Sequence, residues 1–260
     1  MSSFNRNNNS GSDEFSEEGG IRIVIVGGWS PGPLRHLKRA LRAQGCHEII
    51  EPSYLSLFMP PMIPGLWCCH PAVIIMTFMP GATIYLAVTV NTPLLLRLLI
   101  ILLALAWCRL LVGVVVRTSI ETSIRKISRE GLDADDMDHS RVLIIGFSWG
   151  GCIVAEMIAK GMVGGENQSS ALLIAPTTSL VARVALREDA ASRIAKLGLA
   201  QSHPPKITVV HGEYDVAFCP HQNRWNNIPG VHLQILPDNH IFNTTSSLRA
   251  LERILLNCIQ

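Results

Sequence analysis

The chain has 260 residues, a formal net charge of +2 and 16% charged residues. That length holds one sizeable core, or one core with an appendage, and the near-neutral balance excludes the electropositive footprint of a nucleic-acid binder. The shortage of charge is local, because Arg97 and Arg109 are the only formal charges between Leu55 and Val116.

Residues 1–20 are rich in Asn, Ser, Gly and acids and read as a disordered tail, without the basic and apolar regions of a signal peptide. Ile21 to Val26 is a β-branched run that ends in Gly27-Gly28, a strand entering a loop. Leu34, Leu37 and Leu41 then mark a helix stopped by Gly45, and Cys46 to Pro52 fits a second strand. After the apolar stretch, Ile120, Ile124 and Ile127 mark another helix, with Glu121 and Arg125 placed for an i,i+4 pair. Thr118 and Glu121 suit a capping box, unless this helix continues the apolar one before it. Asp133 to Asp138 reads as a solvated loop. Arg141 to Ile145 is a strand, and Gly151 to Lys160 is helical. Ala171 to Ala175 and Lys206 to His211 are short buried strands flanking a helical stretch over 179–197. Val231 to Leu236 is the last strand, and Leu248, Leu251, Ile254 and Leu255 face a closing helix. Alternating strands and helices predict an α/β protein with a mostly parallel sheet covered on both faces.

Between the strand at 141 and the helix at 151 stands Gly146-Phe147-Ser148-Trp149-Gly150, a G-x-S-x-G sequence. Strand, sharp turn and helix is the setting in which a serine is held on a strained elbow with its hydroxyl exposed. Serine is a poor nucleophile alone and needs a histidine base, which in turn needs a carboxylate to fix its tautomer. Asp215 follows the strand at 206, and His240 follows the strand at 231. Both therefore fall at the carboxyl edge of a parallel sheet, where open α/β proteins place their sites. Glu213 is the rival acid, and His211, His221 and His232 are the rival bases. The oxyanion needs two N–H donors. Trp149 supplies one, and the Gly27-to-Gly32 loop the other, with Trp29 the candidate and Gly28 its rival.

These pieces resemble the α/β-hydrolase superfamily over roughly residues 21–54 and 117–257. They are the Gly27-Gly28-Trp29 loop, the Gly146-to-Gly151 elbow, His211-Gly212-Glu213-Tyr214-Asp215 and Asp238-Asn239-His240. The resemblance implies an α/β-hydrolase fold and, because the elbow carries serine rather than aspartate, cleavage of an ester, thioester or amide. Family members commonly carry His-Gly in the first loop, where this chain has Gly27-Gly28, a departure that touches the oxyanion donor and not the triad.

The apolar insertion, residues 55–116, divides the hydrolase-like parts 21–54 and 117–260. Leu66 to Val90 is uncharged but broken by Pro71, Pro80 and Gly81, whereas Leu94 to Val116 is long enough to span a bilayer. The strands at 21 and 142 share one sheet, so crossings between them number zero or two, as a hairpin provides. Arg109 inside the second run is costly at mid-bilayer, by about 2.5 kcal/mol or more. Arg35, Lys38, Arg39 and Arg42 before the hairpin, and Arg117, Arg125, Lys126 and Arg129 after it, place the hydrolase part in the cytosol. The competing reading is a soluble, apolar cap. Seven cysteines (Cys46, Cys68, Cys69, Cys108, Cys152, Cys219 and Cys258) have neither metal-ligand nor disulfide spacing and read as free thiols, Cys68, Cys69 and Cys108 being open to palmitoylation.

The expectation is a membrane-associated serine hydrolase with catalytic Ser148, Asp215 and His240. It acts on a lipophilic acyl substrate at membrane lipids and needs no metal, organic cofactor or nucleic acid. An acyltransferase with the same triad, or a non-catalytic membrane adaptor that keeps the fold, are the alternatives.

Overall fold

The computed structural model describes residues 21–28, 30–46, 48–52, 81–85, 93–132, 141–163, 169–198, 206–220 and 222–259. The predicted tail, most of the first apolar run, the acidic 133–138 stretch, Trp29, His221, Cys68 and Cys69 lie outside these residues.

Six strands form one sheet, all paired in parallel: β1 (Ile21–Val26), β2 (Ile49–Ile50), β3 (Arg141–Phe147), β4 (Ser170–Ile174), β5 (Lys206–Gly212) and β6 (Val231–Leu236). Their order is β2-β1-β3-β4-β5-β6. The six predicted strands are all present, although β2 is only two residues long where a run from Cys46 to Pro52 was expected. The chain steps outward from β1 to β2, then returns to the other side of β1 as β3. The switch in direction thus lies between β1 and β3, whose carboxyl ends carry Gly27-Gly28 and Ser148.

The two-residue period of a strand divides the core cleanly. Ile23, Ile25, Leu143, Ile145 and Phe147 pack on one face with Leu34, Leu37 and Leu41 of α1 (Leu34–Ala43) and with Leu251, Ile254 and Leu255. Val24, Val26, Val142 and Ile144 pack on the other with Val116, Ile120, Ile124 and Ile127 of α2 (Leu94–Ile127). α3 (Trp149–Ala159), α4 (Thr178–Ala185) and α5 (Ala190–Gly198) share that second face, and α6 (Thr245–Ile259) covers the first. Nearly continuous apolar strands are what a sheet buried on both sides requires.

The structure corrects three local expectations. α2 is one unbroken helix of 34 residues, running through the position predicted to start a new one. Thr118 does not cap it; its Oγ1 donates to the Val114 carbonyl one turn back, at 2.9 Å. Glu121 takes Lys160 of the neighbouring segment as its ion partner, at 2.5 Å. Finally, the helical stretch predicted over 179–197 is two helices, α4 and α5. Leu186 stops the first in a left-handed conformation (φ 52°), and Asp189 opens the second by accepting the Ala191 N–H at 3.0 Å.

The two halves of α2 have opposite surroundings. From Gly113 onward its inner face is core, with Val116, Ser119, Ile120, Ser123, Ile124 and Ile127 buried. Before that, Leu94, Leu95, Leu98, Leu99, Leu102 and Leu103 are exposed, Leu95 to 81%. Two arginines bolt the helix to the end of α4. Arg109 donates to the carbonyls of Arg183 and Val184, and Arg117 donates to those of Ala185 and Leu186, each at 2.7 Å. The last carbonyls of a helix have no partner within it and carry its negative pole. Two guanidinium groups from a neighbouring helix satisfy both needs of α4.

Candidate active site

Ser148 stands at the sharp turn from β3 into α3, with φ 54° and ψ −117°. A non-glycine residue there is strained, and strain of this kind costs of order 1–3 kcal/mol. The surroundings hold it: the Ser148 N–H donates to the Ile174 carbonyl at 2.9 Å, and its own carbonyl accepts the Cys152 N–H at 3.0 Å. Close packing of the turn on β1 explains Gly150, because a Cβ there would lie 2.1 Å from the Val26 carbonyl oxygen. The turn aims the Ser148 hydroxyl across the carboxyl edge of the sheet.

His240 lies on the loop after β6 and meets Ser148 through Nε2, 2.8 Å from Oγ. Its Nδ1 lies 2.5 Å from Asp215 Oδ2 on the loop after β5. The imidazole lies against two rings, Phe218 with its centroid at 4.5 Å and Phe147 at 5.7 Å. Asp215 is buried, and its other oxygen accepts the Phe218 N–H at 3.3 Å. Burial pushes its carboxyl pKa upward, but hydrogen bonds from His240, Cys219 and Phe218 outweigh burial and hold the pKa below the usual value. The carboxylate therefore stays ionised opposite the imidazole at neutral pH.

The structure thus brings Ser148, His240 and Asp215 into one hydrogen-bonded chain. The rivals are elsewhere: Glu213 is exposed, as is His232. His211 is buried behind Asp215, and neither of its ring nitrogens has a hydrogen-bond partner among the described residues. Burial lowers its pKa to about 4, so it is neutral and adds no charge that competes with His240.

Trp149 is the first residue of α3, so its N–H belongs to the positive end of that helix. Gly28 is directly beside Ser148, since a Cβ built on it would approach the Ser148 Cβ to 2.8 Å. Of the described residues, only His211, Asp215 and Cys219 form a cluster able to hold a metal, with ligand atoms within 4.8 Å of one another. A metal there would draw on the carboxylate that faces His240.

An apolar cavity of about 110 Å3 opens at Ser148, bounded by Thr177, Leu180, Val181 and Val184 from the α4 region, by Val116 of α2 and by Phe218. No sequence pattern marked α4 as part of the site; its small helix became visible only when the chain folded it over the elbow.

Asp238 was also missed, although it lies two residues before His240. Its carboxylate accepts the Asn239 N–H at 2.7 Å, the Thr244 hydroxyl at 2.7 Å and the Thr244 N–H at 3.1 Å, closing the loop that carries the imidazole. Burial raises the Asp238 pKa, but the Thr244 and Asn239 donors outweigh it and leave it below the ordinary value. A depressed folded-state value stabilises above the unfolded pKa of about 3.9 and is lost as pH falls through the folded value. Asp238→Asn is therefore expected to lower stability by roughly 1.5–3 kcal/mol at neutral pH. The gap from wild type, followed by urea unfolding, should begin to close as pH falls below the unfolded pKa of about 3.9. A gap that widens in acid would contradict this origin.

No protein-family model matches the chain, and no curated protein matches it. Among solved structures it is similar to α/β hydrolase domain-containing protein 10 from mouse, at 11% identity and a TM-score of 0.49, covering 91% of this chain and 88% of that one. It is also similar to an S-formylglutathione hydrolase from Staphylococcus aureus, at 12% identity and a TM-score of 0.46, covering 93% and 82%. A third is a meta-cleavage product hydrolase from Pseudomonas fluorescens, at 11% identity and a TM-score of 0.49, covering 92% and 90%. The fold is α/β-hydrolase-like. The parallel strand order, the helices on both faces and the serine elbow after β3 carry that statement within the chain itself.

Proposed function

We propose that the chain is a membrane-associated serine hydrolase that cleaves a lipophilic carboxylic ester or thioester through an acyl-enzyme. The observation that carries this reading is the hydrogen-bonded chain from Ser148 Oγ to His240 to Asp215. His240 Nε2 takes the hydroxyl proton as Ser148 Oγ bonds to the acyl carbon. Asp215 keeps the imidazole in the required tautomer and stabilises its cation. The carbonyl oxygen becomes an oxyanion, held by the Trp149 N–H and by an N–H of the Gly27-to-Gly32 loop, from Trp29 or Gly28. Collapse expels the alkoxide or thiolate, which receives the proton from His240. Water, deprotonated by the same imidazole, then releases the acid and restores the serine. Apart from the substrate and that water, every step uses side chains and backbone groups of this chain.

The apolar walls of the cavity at Ser148 favour a hydrocarbon acyl group over a polar one. The exposed leucines of α2 support attachment to a bilayer. The apolar stretch ahead of Arg109, residues 94–108, is about 22 Å long at 1.5 Å per residue, short of the ~30 Å of a bilayer core and suited to a hairpin that dips into the bilayer and returns. Arg109 lies near the end of that stretch next to the hydrolase part, with its guanidinium turned onto α4 carbonyls rather than left at mid-bilayer. β1 and β3 pair side by side, so the chain re-enters on the side it left. The basic residues flanking the insertion put that side in the cytosol.

The decisive test is labelling by a serine-reactive fluorophosphonate, in which Ser148 Oγ displaces fluoride from phosphorus. Wild type is expected to label and Ser148→Ala to remain unlabelled. A folded wild type that fails to label would remove the enzyme reading and leave the adaptor.

A further inference from the structure

Beside the cavity at Ser148 lies a shallow groove open to the surface, bounded by Leu105, Cys108, Arg109 and Val112 of α2 and by Arg183 and Val184 of α4. The cavity and the groove have one residue in common, Val184, which bounds the first from its outer end and the second from its inner end. They also share a wall. Leu105, Cys108, Val112 and Val116 are spaced i, i+3, i+7 and i+11, so they form a single stripe along one face of α2. From Val116 at the serine to Leu105 among the exposed leucines the stripe rises about 16 Å, the length of a long acyl chain. Its outer end opens beside the exposed leucines of α2, Leu102 and Leu103 among them.

We infer that the substrate carries a long acyl chain that lies along this stripe, and that Val184 sets how much of the chain the site accepts. The inference rests on the serine-hydrolase reading and gives it a substrate class, a long-chain acyl ester or thioester of a bilayer lipid. The acyl carbonyl sits at Ser148, the first methylenes fill the cavity, and the remainder passes Val184 between α2 and α4. The tail leaves the protein where α2 is exposed, so the chain enters from the side of the apolar helix and not from bulk water. Val184 is suited to this role because its backbone and side chain do different things. Its carbonyl holds Arg109 and so fixes the two helices together, whatever side chain it bears. Its side chain is the replaceable part of that boundary, since the carbonyl also meets α2 at Gly113, where a Cβ would lie 3.3 Å from it. Changing that side chain therefore alters the passage without releasing the latch.

The experiment is a pair of esters, butyryl and palmitoyl, of the same alcohol, tested on wild type, Val184→Ala and Val184→Phe. Removing the methyl groups joins the cavity to the groove and should raise the palmitoyl-to-butyryl ratio of kcat/KM by about tenfold or more, as expected when a pocket gains or loses a few methylene contacts. Phenylalanine fills the passage and should lower the ratio by a similar factor. Val112→Trp, which obstructs the groove from the opposite wall, should lower it as well. In parallel, binding of radiolabelled palmitic and butyric acids to Ser148→Ala protein with each second substitution reads the same preference without turnover. A ratio that stays within about twofold in all three variants, or moves in one direction for both Val184 substitutions, overturns the path. Absence of turnover by wild type, with the binding preference shifting as described, would count against the hydrolase reading while leaving the path intact.

Discussion

Replacing His240 with alanine should lower kcat/KM for any ester the protein cleaves by about ten-thousand-fold or more. The expectation comes from two distances. Nε2 lies 2.8 Å from Ser148 Oγ, so it is the group able to take the hydroxyl proton. Nδ1 lies 2.5 Å from Asp215, so the proton it carries is fixed on the far side of the ring. Asp215→Asn should have an effect of the same order, because an amide can turn its NH2 toward Nδ1 and favour the wrong tautomer. The His240→Ala, Asp215→Asn double variant should be scarcely worse than His240→Ala alone, since Asp215 acts through the imidazole. Steady-state kinetics on the four proteins, with near-ultraviolet circular dichroism as a folding control, give the answer. Multiplicative losses would mean that Asp215 contributes by some route other than His240.

Changing Leu95, Leu99, Leu102 and Leu103 together to glutamate should move the protein from the membrane fraction to the soluble one. Burying a leucine side chain contributes roughly 1.5–3 kcal/mol, so four contribute of order 6–12, and the introduced carboxylates add a further cost for entering hydrocarbon. Partition into phosphatidylcholine vesicles should therefore fall by at least about ten-thousand-fold. The same substitutions should leave the thermal midpoint of the soluble form nearly unchanged, because all four side chains are exposed and support no part of the core. Flotation of wild type and variant on a sucrose gradient makes the comparison. If the variant still floats, the anchor lies elsewhere in the chain; if wild type does not float, the apolar half of α2 is a cap on a soluble protein.

What could be read in the sequence followed the strength of the local signal. Each strand carries an apolar run bounded by glycine, proline or a polar cluster, and the serine elbow has a glycine wherever the turn meets another backbone. Ser148, Asp215 and His240 were legible because each follows such a run directly, and in a parallel sheet that places all three at one edge. Other features depend on partners far away in sequence. Thr118 with Glu121 looks like a helix start, but α2 is continuous because its inner face already belongs to the buried core at Val116 and Ile120. Tertiary packing overrode the local cap. Arg109 reads as a charge misplaced in an apolar run, because the carbonyls that receive it belong to α4, 74 and 75 residues later. Asp238 reads as a turn residue beside His240, and only its burial with Thr244 reveals that it fixes the loop.

The bolt between α2 and α4 also has an order in time. A ribosome adds about 5–20 residues per second, so Arg109 waits of order 4–15 s before the first carbonyl it binds has been made. During that interval the apolar half of α2 exists with its arginine unsatisfied and with β3, the strand its inner face needs, still arriving. On the reading proposed above, the helix meets its surroundings, bilayer or chaperone, before Ser148 has been made, and α4 joins it later. A chain interrupted between α3 and α4 would carry the apolar helix and the Ser148 turn but not the α4 wall of the cavity, which is a product of the final third of synthesis.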